Sequence, residues 1–323
     1  MVVSNYIVAR GHAPHCVNGI DKDHGHGNLL FCWIQKVGCT NFKKLLSPLK
    51  IHVRSALPER KGHPRDFYSA IMHNSSWHKA VFYREPLERF LSGYLDKCSK
   101  LIRVYCISVF GSKDATFDDA VRSLITQDPD KINEHFHSQV DFCGGLKDTL
   151  PLFDTVEILE PETSRDKAAM MLQRANVTPP NFDKIFPGKI RTKDGHQTHA
   201  SKKIERYYNN TQHVGIVVNF FYEDYVLLDI PLPDFAVRAL LELNRTQDEF
   251  RLPFDRLDQL LQRTNKKSKE NGVQNQSFNQ PGDIVTHSSN TNNVTIDRLV
   301  MNATKHVMTI LIFYSSTCHS LCQ

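Results

Sequence analysis

The chain has 323 residues, 40% of them hydrophobic and 23% charged, with 15 Gly and 15 Pro. Those proportions describe a globular protein with a real core and exclude disordered, collagen-like and repeat chains. Forty Lys and Arg against 35 Asp and Glu leave a formal charge of +5, too mild an excess to imply a nucleic-acid partner but suited to a protein that handles phosphates, sulfates or acidic polymers.

In chain order, residues 1–27 are polar and His-rich and show no hydrophobic period. His12, His15, Cys16, His24 and His26 therefore read as an arm, not a ligand set, and no metal is expected. Residues 1–20 contain no apolar signal region. The apolar run from Val307 to Tyr314 is far short of the ~20 residues that cross a bilayer. Seven N-x-S/T sequons, at Asn74, Asn176, Asn209, Asn244, Asn275, Asn293 and Asn302, favour a lumenal or secreted setting. An Asn-rich composition near the C-terminus also generates idle ones.

Over residues 28–263, short apolar runs alternate with helical patterns, which predicts an α/β domain. Leu29-Leu30-Phe31-Cys32-Trp33-Ile34 is the continuous apolar run of a strand buried on both faces. A loop, Gln35-Lys36-Val37-Gly38-Cys39-Thr40-Asn41, follows. Phe42, Leu45 and Leu46 then share one helical face, and Thr40 or Asn41 suits the cap.

A second unit repeats the design. Ala80-Val81-Phe82-Tyr83 predicts a strand, Arg84-Glu85-Pro86 a turn, and Leu87, Phe90, Leu91, Tyr94 and Leu95 an amphipathic helix with Pro86 in its first turn. Beyond it the periodicity predicts a strand over 155–159 and helices over 164–175, 201–208 and 214–227. From Thr264 the sequence turns Asn/Gln/Ser/Lys-rich, and residues 264–323 read as a disordered tail.

A buried strand running through a turn into a helix N-terminus makes an anion site, because unpaired N–H groups and the positive end of the helix dipole converge there. Lys36 adds a full charge to the first loop, Gly38 allows close backbone approach, and Thr40 and Asn41 add side-chain donors. The bland alternative is an ordinary strand-to-helix turn carrying a surface lysine. No G-x-x-x-x-G-K-[ST] occurs in the chain, which disfavours a P-loop kinase or ATPase.

Residues 32–43, Cys-Trp-Ile-Gln-Lys-Val-Gly-Cys-Thr-Asn-Phe-Lys, resemble the 5′-phosphosulfate loop of the Golgi carbohydrate sulfotransferases, the family of the chondroitin and dermatan 4-O-sulfotransferases. Residues 81–94, Val-Phe-Tyr-Arg-Glu-Pro-Leu-Glu-Arg-Phe-Leu-Ser-Gly-Tyr, resemble that family's 3′-phosphate motif. Weaker echoes are His135 with Cys143, the stretch 200–208, and Phe221-Tyr222-Glu223-Asp224-Tyr225. The resemblance covers roughly residues 21–228 and departs from the family at Gln35, which stands where a Pro is usual.

The resemblance implies a central parallel sheet flanked by helices, in the P-loop-like nucleotide fold of sulfotransferases. The implied activity is transfer of a sulfuryl group from 3′-phosphoadenosine 5′-phosphosulfate (PAPS) to a glycan hydroxyl, with an anionic glycosaminoglycan as one acceptor. Lys36, Gly38, Cys39, Thr40 and Asn41 would hold the 5′-phosphosulfate, and Arg84 and Ser92 the 3′-phosphate. Lys36 would also stabilise charge on the bridging oxygen. His73 is the first choice for the base that takes the acceptor proton, and His135 the second. Lys43, Lys44, Arg89 and Lys97 are either acceptor contacts or a solvated face.

The resemblance further implies a Golgi lumenal domain behind a membrane anchor that this sequence does not contain. Two other readings stand beside it: a sulfotransferase for a small-molecule or protein acceptor, and a non-catalytic relative that binds PAPS or glycan. The pairing of the eight Cys is left open.

Overall fold

The continuous apolar runs do become buried strands. The computed structural model describes residues 15–18, 28–46, 71–98, 104–129, 131–188 and 198–276. β1 (His15–Asn18) precedes β2 (Asn28–Cys32), which leads into helix α1 (Cys39–Leu46). β3 (His78–Tyr83) leads into α2 (Pro86–Lys97), and β4 (Thr155–Ile158) into α6 (Ser164–Arg174). Between the latter two units lie α3 (Val104–Phe110), α4 (Phe117–Ser123), a 3₁₀ turn at Gln139–Asp141 and α5 (Leu146–Thr149). After α6 come α7 (Phe182–Ile185), α8 (Ala200–Tyr207), α9 (Thr211–Phe220), α10 (Tyr222–Leu227), α11 (Asp234–Arg245) and α12 (Phe254–Gln276).

The sheet order is β1-β2-β3-β4. β2, β3 and β4 run parallel, with Phe31 opposite Ala80 and Ala80 opposite Thr155. This agrees with the expected α/β architecture. β1 adds an antiparallel edge, with His15 opposite Phe31; it was not foreseen in a segment without hydrophobic period. His12, His24 and His26 lie outside the described residues.

Strand alternation divides the core between the two sheet faces. Phe31, Phe82 and the α1 residue Phe42 share one face, with ring centroids 4.6 Å apart for Phe31–Phe42 and 5.2 Å for the stacked pair Phe42–Phe82. Phe186, just after α7, closes this cluster at 5.4 Å from Phe42. Cys32 lies on the opposite face and is joined to Cys143 by a disulfide. A second disulfide, Cys98–Cys106, staples the end of α2 to α3, and Cys39 is a free thiol.

α2 packs on α8 and α9, and α9 also packs on α4 and α11. The close approach of α9 and α11 needs Gly215: a β-carbon there would stand 2.5 Å from the Phe250 carbonyl oxygen and 2.7 Å from a Leu243 methyl. Backbone cannot yield cheaply, so Gly215→Ala is expected to destabilise the fold by about 1–3 kcal/mol, despite the better helix propensity of alanine. A urea unfolding midpoint equal to or above the wild type would contradict this packing.

The predicted single helix over 214–227 is broken at Phe221, so that α9 and α10 point Val217 and Asp224 separately into the interior. The expected boundary at Thr264 falls inside α12, which continues to Gln276. Leu257, Leu260 and Leu261 bury its first turns. Thr264 Oγ1 accepts from the Leu232 N–H at 3.0 Å, and Arg263 and Lys267 both meet Asp229 at 3.1 Å. Polar composition hid an anchored helix, since Lys, Gln and Glu are good helix formers.

Candidate functional site

Parallel strands deliver their following loops to the same sheet edge, so the loops after β2 and β3 lie side by side. The first is a tight turn in which the Val37 N–H meets the Ile34 carbonyl. Lys36 is held at φ 65° and Gly38 at φ 61°. A left-handed lysine costs about 1–2 kcal/mol relative to ordinary backbone, so this loop keeps its shape against local preference. Gly38 is required twice over, because a β-carbon would also stand 2.8 Å from a Leu159 methyl.

α1 opens directly after Gly38, with the Asn41 and Phe42 N–H groups closing on the Gly38 carbonyl. Gly38, Thr40 and Asn41 are exposed on its first turn, while Phe42 anchors it below. The first N–H groups of a helix point beyond its end.

In the second loop Glu85 caps α2, accepting from the Leu87 and Glu88 N–H groups, and the Tyr225 hydroxyl donates to it. Arg84 turns back over the first loop: Nη1 donates to the Lys36 carbonyl at 3.2 Å and Nη2 to Glu88 at 2.6 Å. The Lys36 ammonium rests 3.3 Å from Asp96, which also meets Lys97 at 3.4 Å. Burial pulls the Lys36 pKa below its ordinary value, and Asp96 works against that fall. Ser92 is buried one turn after Glu88, its hydroxyl 3.1 Å from that of Thr198.

His135 joins this group. Its pKa is pushed down to about 3, first by burial and then by the fields of Lys97 and Lys36, which Asp96 only partly offsets. Asn133 Oδ1 accepts from the His135 backbone N–H at 3.1 Å and faces its Nδ1 at 2.7 Å. An oxygen that already accepts the backbone N–H requires Nδ1 to donate as well, which leaves Nε2 as the free base nitrogen.

His73 does not join the group. It is exposed on the turn preceding β3, where the parallel register starts with Leu29 opposite His78. Six strand residues at ~3.3 Å each put that end about 20 Å from Arg84. His73 and Arg84 flank opposite ends of one strand, so closeness in sequence to the second motif does not bring His73 to the two loops. Arg89 also departs from expectation: it is 1% exposed and faces the interior, not solvent. Asp96, Gln139 and Asp224 were missed, and only long-range contacts identify them.

The donor set suits a polyanionic ligand: Lys36, Arg84 and Lys97 supply charge, Thr40 and Ser92 hydroxyls, and α1 its N-terminus. Asp96 holds Lys36 and Lys97 and Glu88 holds Arg84, so an incoming anion must share or displace all three cations.

The chain belongs to the Sulfotransferase family, whose model matches residues 20–230. Among curated proteins it is similar to carbohydrate sulfotransferase 14 of Homo sapiens, with 28% identity over 140 residues that cover 35% of this chain and 36% of the relative. It is also similar to carbohydrate sulfotransferase 11 of Mus musculus, with 24% identity over 250 residues and 67% of each chain covered. The chain thus spans 36% of the human relative's length in that match, and 67% of the mouse relative's. No solved structure matches it.

Proposed function

We propose that this protein is a PAPS-dependent sulfotransferase that modifies a hydroxyl of a glycan. The observation that carries the reading is the junction of the two anion loops, where the Arg84 guanidinium meets the Lys36 carbonyl at 3.2 Å beside a neutral His135. PAPS supplies the activated sulfuryl group. Lys36, Gly38, Cys39, Thr40 and Asn41 hold its 5′ side, and Arg84 with Ser92 its 3′-phosphate. Lys36 balances charge developing on the phosphate oxygen as the S–O bond breaks. His135 Nε2 takes the proton of the attacking hydroxyl, and Asn133 keeps the ring in that tautomer.

The acceptor is an anionic glycosaminoglycan, drawn by Lys97 and the mild basic excess. The setting is the Golgi lumen, supported by two disulfides and by exposed sequon residues Asn74, Asn176 and Asn209. No helix among the described residues is long and apolar enough to cross a membrane. The transferase domain runs over residues 28–263, and α12, which begins inside it, continues to Gln276.

Labelled PAPS offered with a panel of glycans, phenols and tyrosine peptides tests the reading: label enters glycans only. His135→Ala is expected to lower kcat by about 10²–10⁴-fold, while His73→Ala leaves it within about twofold. The reverse ranking returns the base to His73. Because the His135 pKa lies near 3, the acid limb of kcat/KM should fall well below pH 6.5. Bound donor opposes the Lys36 and Lys97 fields, so the limb in kcat should sit at higher pH than that in kcat/KM. Coincident limbs at pH 6.5 would rule out this imidazole.

A further inference from the structure

We infer that Gln139 and Arg89 are positioning residues that set the register between the two anion loops and the segment carrying His135; this rests on the reading of the site as a sulfuryl-transfer centre. β3 loses its sheet partners after Tyr83, whose carbonyl accepts from the Leu159 N–H. Gln139, fully buried, takes over at the next residue. Its Oε1 accepts from the Arg84 N–H at 2.9 Å and its Nε2 donates to the Arg84 carbonyl at 2.8 Å. A side-chain amide thus pairs with the main chain of Arg84 as a neighbouring strand would.

Gln139 is itself held. Its Nε2 also donates to Asp224 Oδ2 at 3.2 Å, and Asp224 Oδ1 accepts from the Val140 N–H at 3.1 Å and from the Ser138 hydroxyl. The same buried carboxylate therefore fixes the residues on both sides of Gln139.

Arg89 makes the matching link to the first loop. Its Nε donates to the Gln35 carbonyl at 2.9 Å and its Nη1 to the His137 carbonyl at 2.7 Å. One guanidinium spans the residue before Lys36 and a residue two beyond His135. That bond also steadies the loop at Gln35, where the family's usual proline is missing.

Both residues are buried, Gln139 at 0% and Arg89 at 1% exposure. Apart from the Gln139 bond to Asp224, their bonds go to main-chain groups of Arg84 and of residues beside Lys36 and near His135. A buried polar network of this kind adds little net stability compared with apolar packing. Its effect is geometric, and displacement of a reacting group by about 1 Å costs on the order of 100-fold in rate.

Gln139→Met keeps the volume and removes every bond to Arg84. Arg89→Lys keeps a charge but cannot span both carbonyls. Each is measured for the affinity of adenosine 3′,5′-bisphosphate by calorimetry, for kcat and donor KM per folded molecule, and for thermal midpoint. The expected result for Gln139→Met is bisphosphate binding about tenfold weaker and kcat down about 10–100-fold. For Arg89→Lys it is a fall in kcat exceeding the change in bisphosphate affinity. Unchanged affinity and kcat in the folded fraction, with only a lower midpoint, would overturn the inference.

Should Gln139→Met fail to fold, Arg89→Lys decides the matter by the same criteria. If the wild type binds bisphosphate but transfers nothing, the transferase reading fails alone. The positioning inference is then decided by bisphosphate affinity in Gln139→Met, weakened or unchanged.

Discussion

Lys36→Ala is expected to lower sulfuryl transfer by about 10²–10³-fold, the usual cost of removing one donor aimed at developing charge. The Lys36 side chain is 13% exposed, so water cannot replace it freely. Both lysine and alanine carry a β-carbon, so the strain at φ 65° is the same in each and does not confuse the result. Asp96 keeps Lys97 as a partner at 3.4 Å, which spares the variant an unpaired, half-buried carboxylate. Bisphosphate binding measured beside the transfer rate separates lost affinity from lost chemistry. Transfer within about threefold of wild type would remove Lys36 from the mechanism.

Breaking the Cys32–Cys143 link should have the largest effect on stability. The two residues are 111 apart in sequence, and cross-linking a loop of that length restricts the unfolded chain by about 5 kcal/mol in the chain-entropy account. Cys98–Cys106 closes only eight residues, for which the same account gives about 2.5 kcal/mol. Alanine pairs at each site, compared by guanidinium unfolding, should rank in that order. Equal losses, or the reverse ranking, would show that native-state packing around the sulfurs outweighs loop closure.

Much of the fold was legible because its determinants are local. The two buried strands read directly as apolar runs, and Pro86 and the apolar spacing of α2 marked a helix start and face. The loops bearing Lys36 and Arg84 followed from those units. What failed was the inference of facing from periodicity. Arg89 lies off the apolar stripe of α2, yet that helix is covered on several sides, so a charged residue is buried and bonded to carbonyls 54 and 48 residues away.

The positions of His73 and His135 relative to the anion loops were hidden for a related reason. Chain distance from Arg84 favours His73, but strand direction carries it to the opposite edge of the sheet. α4 was missed although its signal was present, a Thr116–Asp119 capping box. Gln139 gave no signal and Asp224 only a place in a weak family echo, since their partners are more than 50 residues distant.

The sheet's outer strands carry a consequence for behaviour at high concentration. β1 and β4 are the two outer strands among the described residues, and β4 is the edge that closes the parallel run. An open strand edge invites pairing with another molecule and the growth of aggregates. Here that edge is only four residues long, carries Glu157 paired with Arg174, and ends within three residues at Glu160 and Pro161. Charge, brevity and a proline with no N–H to offer make β4 a poor template for polymerisation.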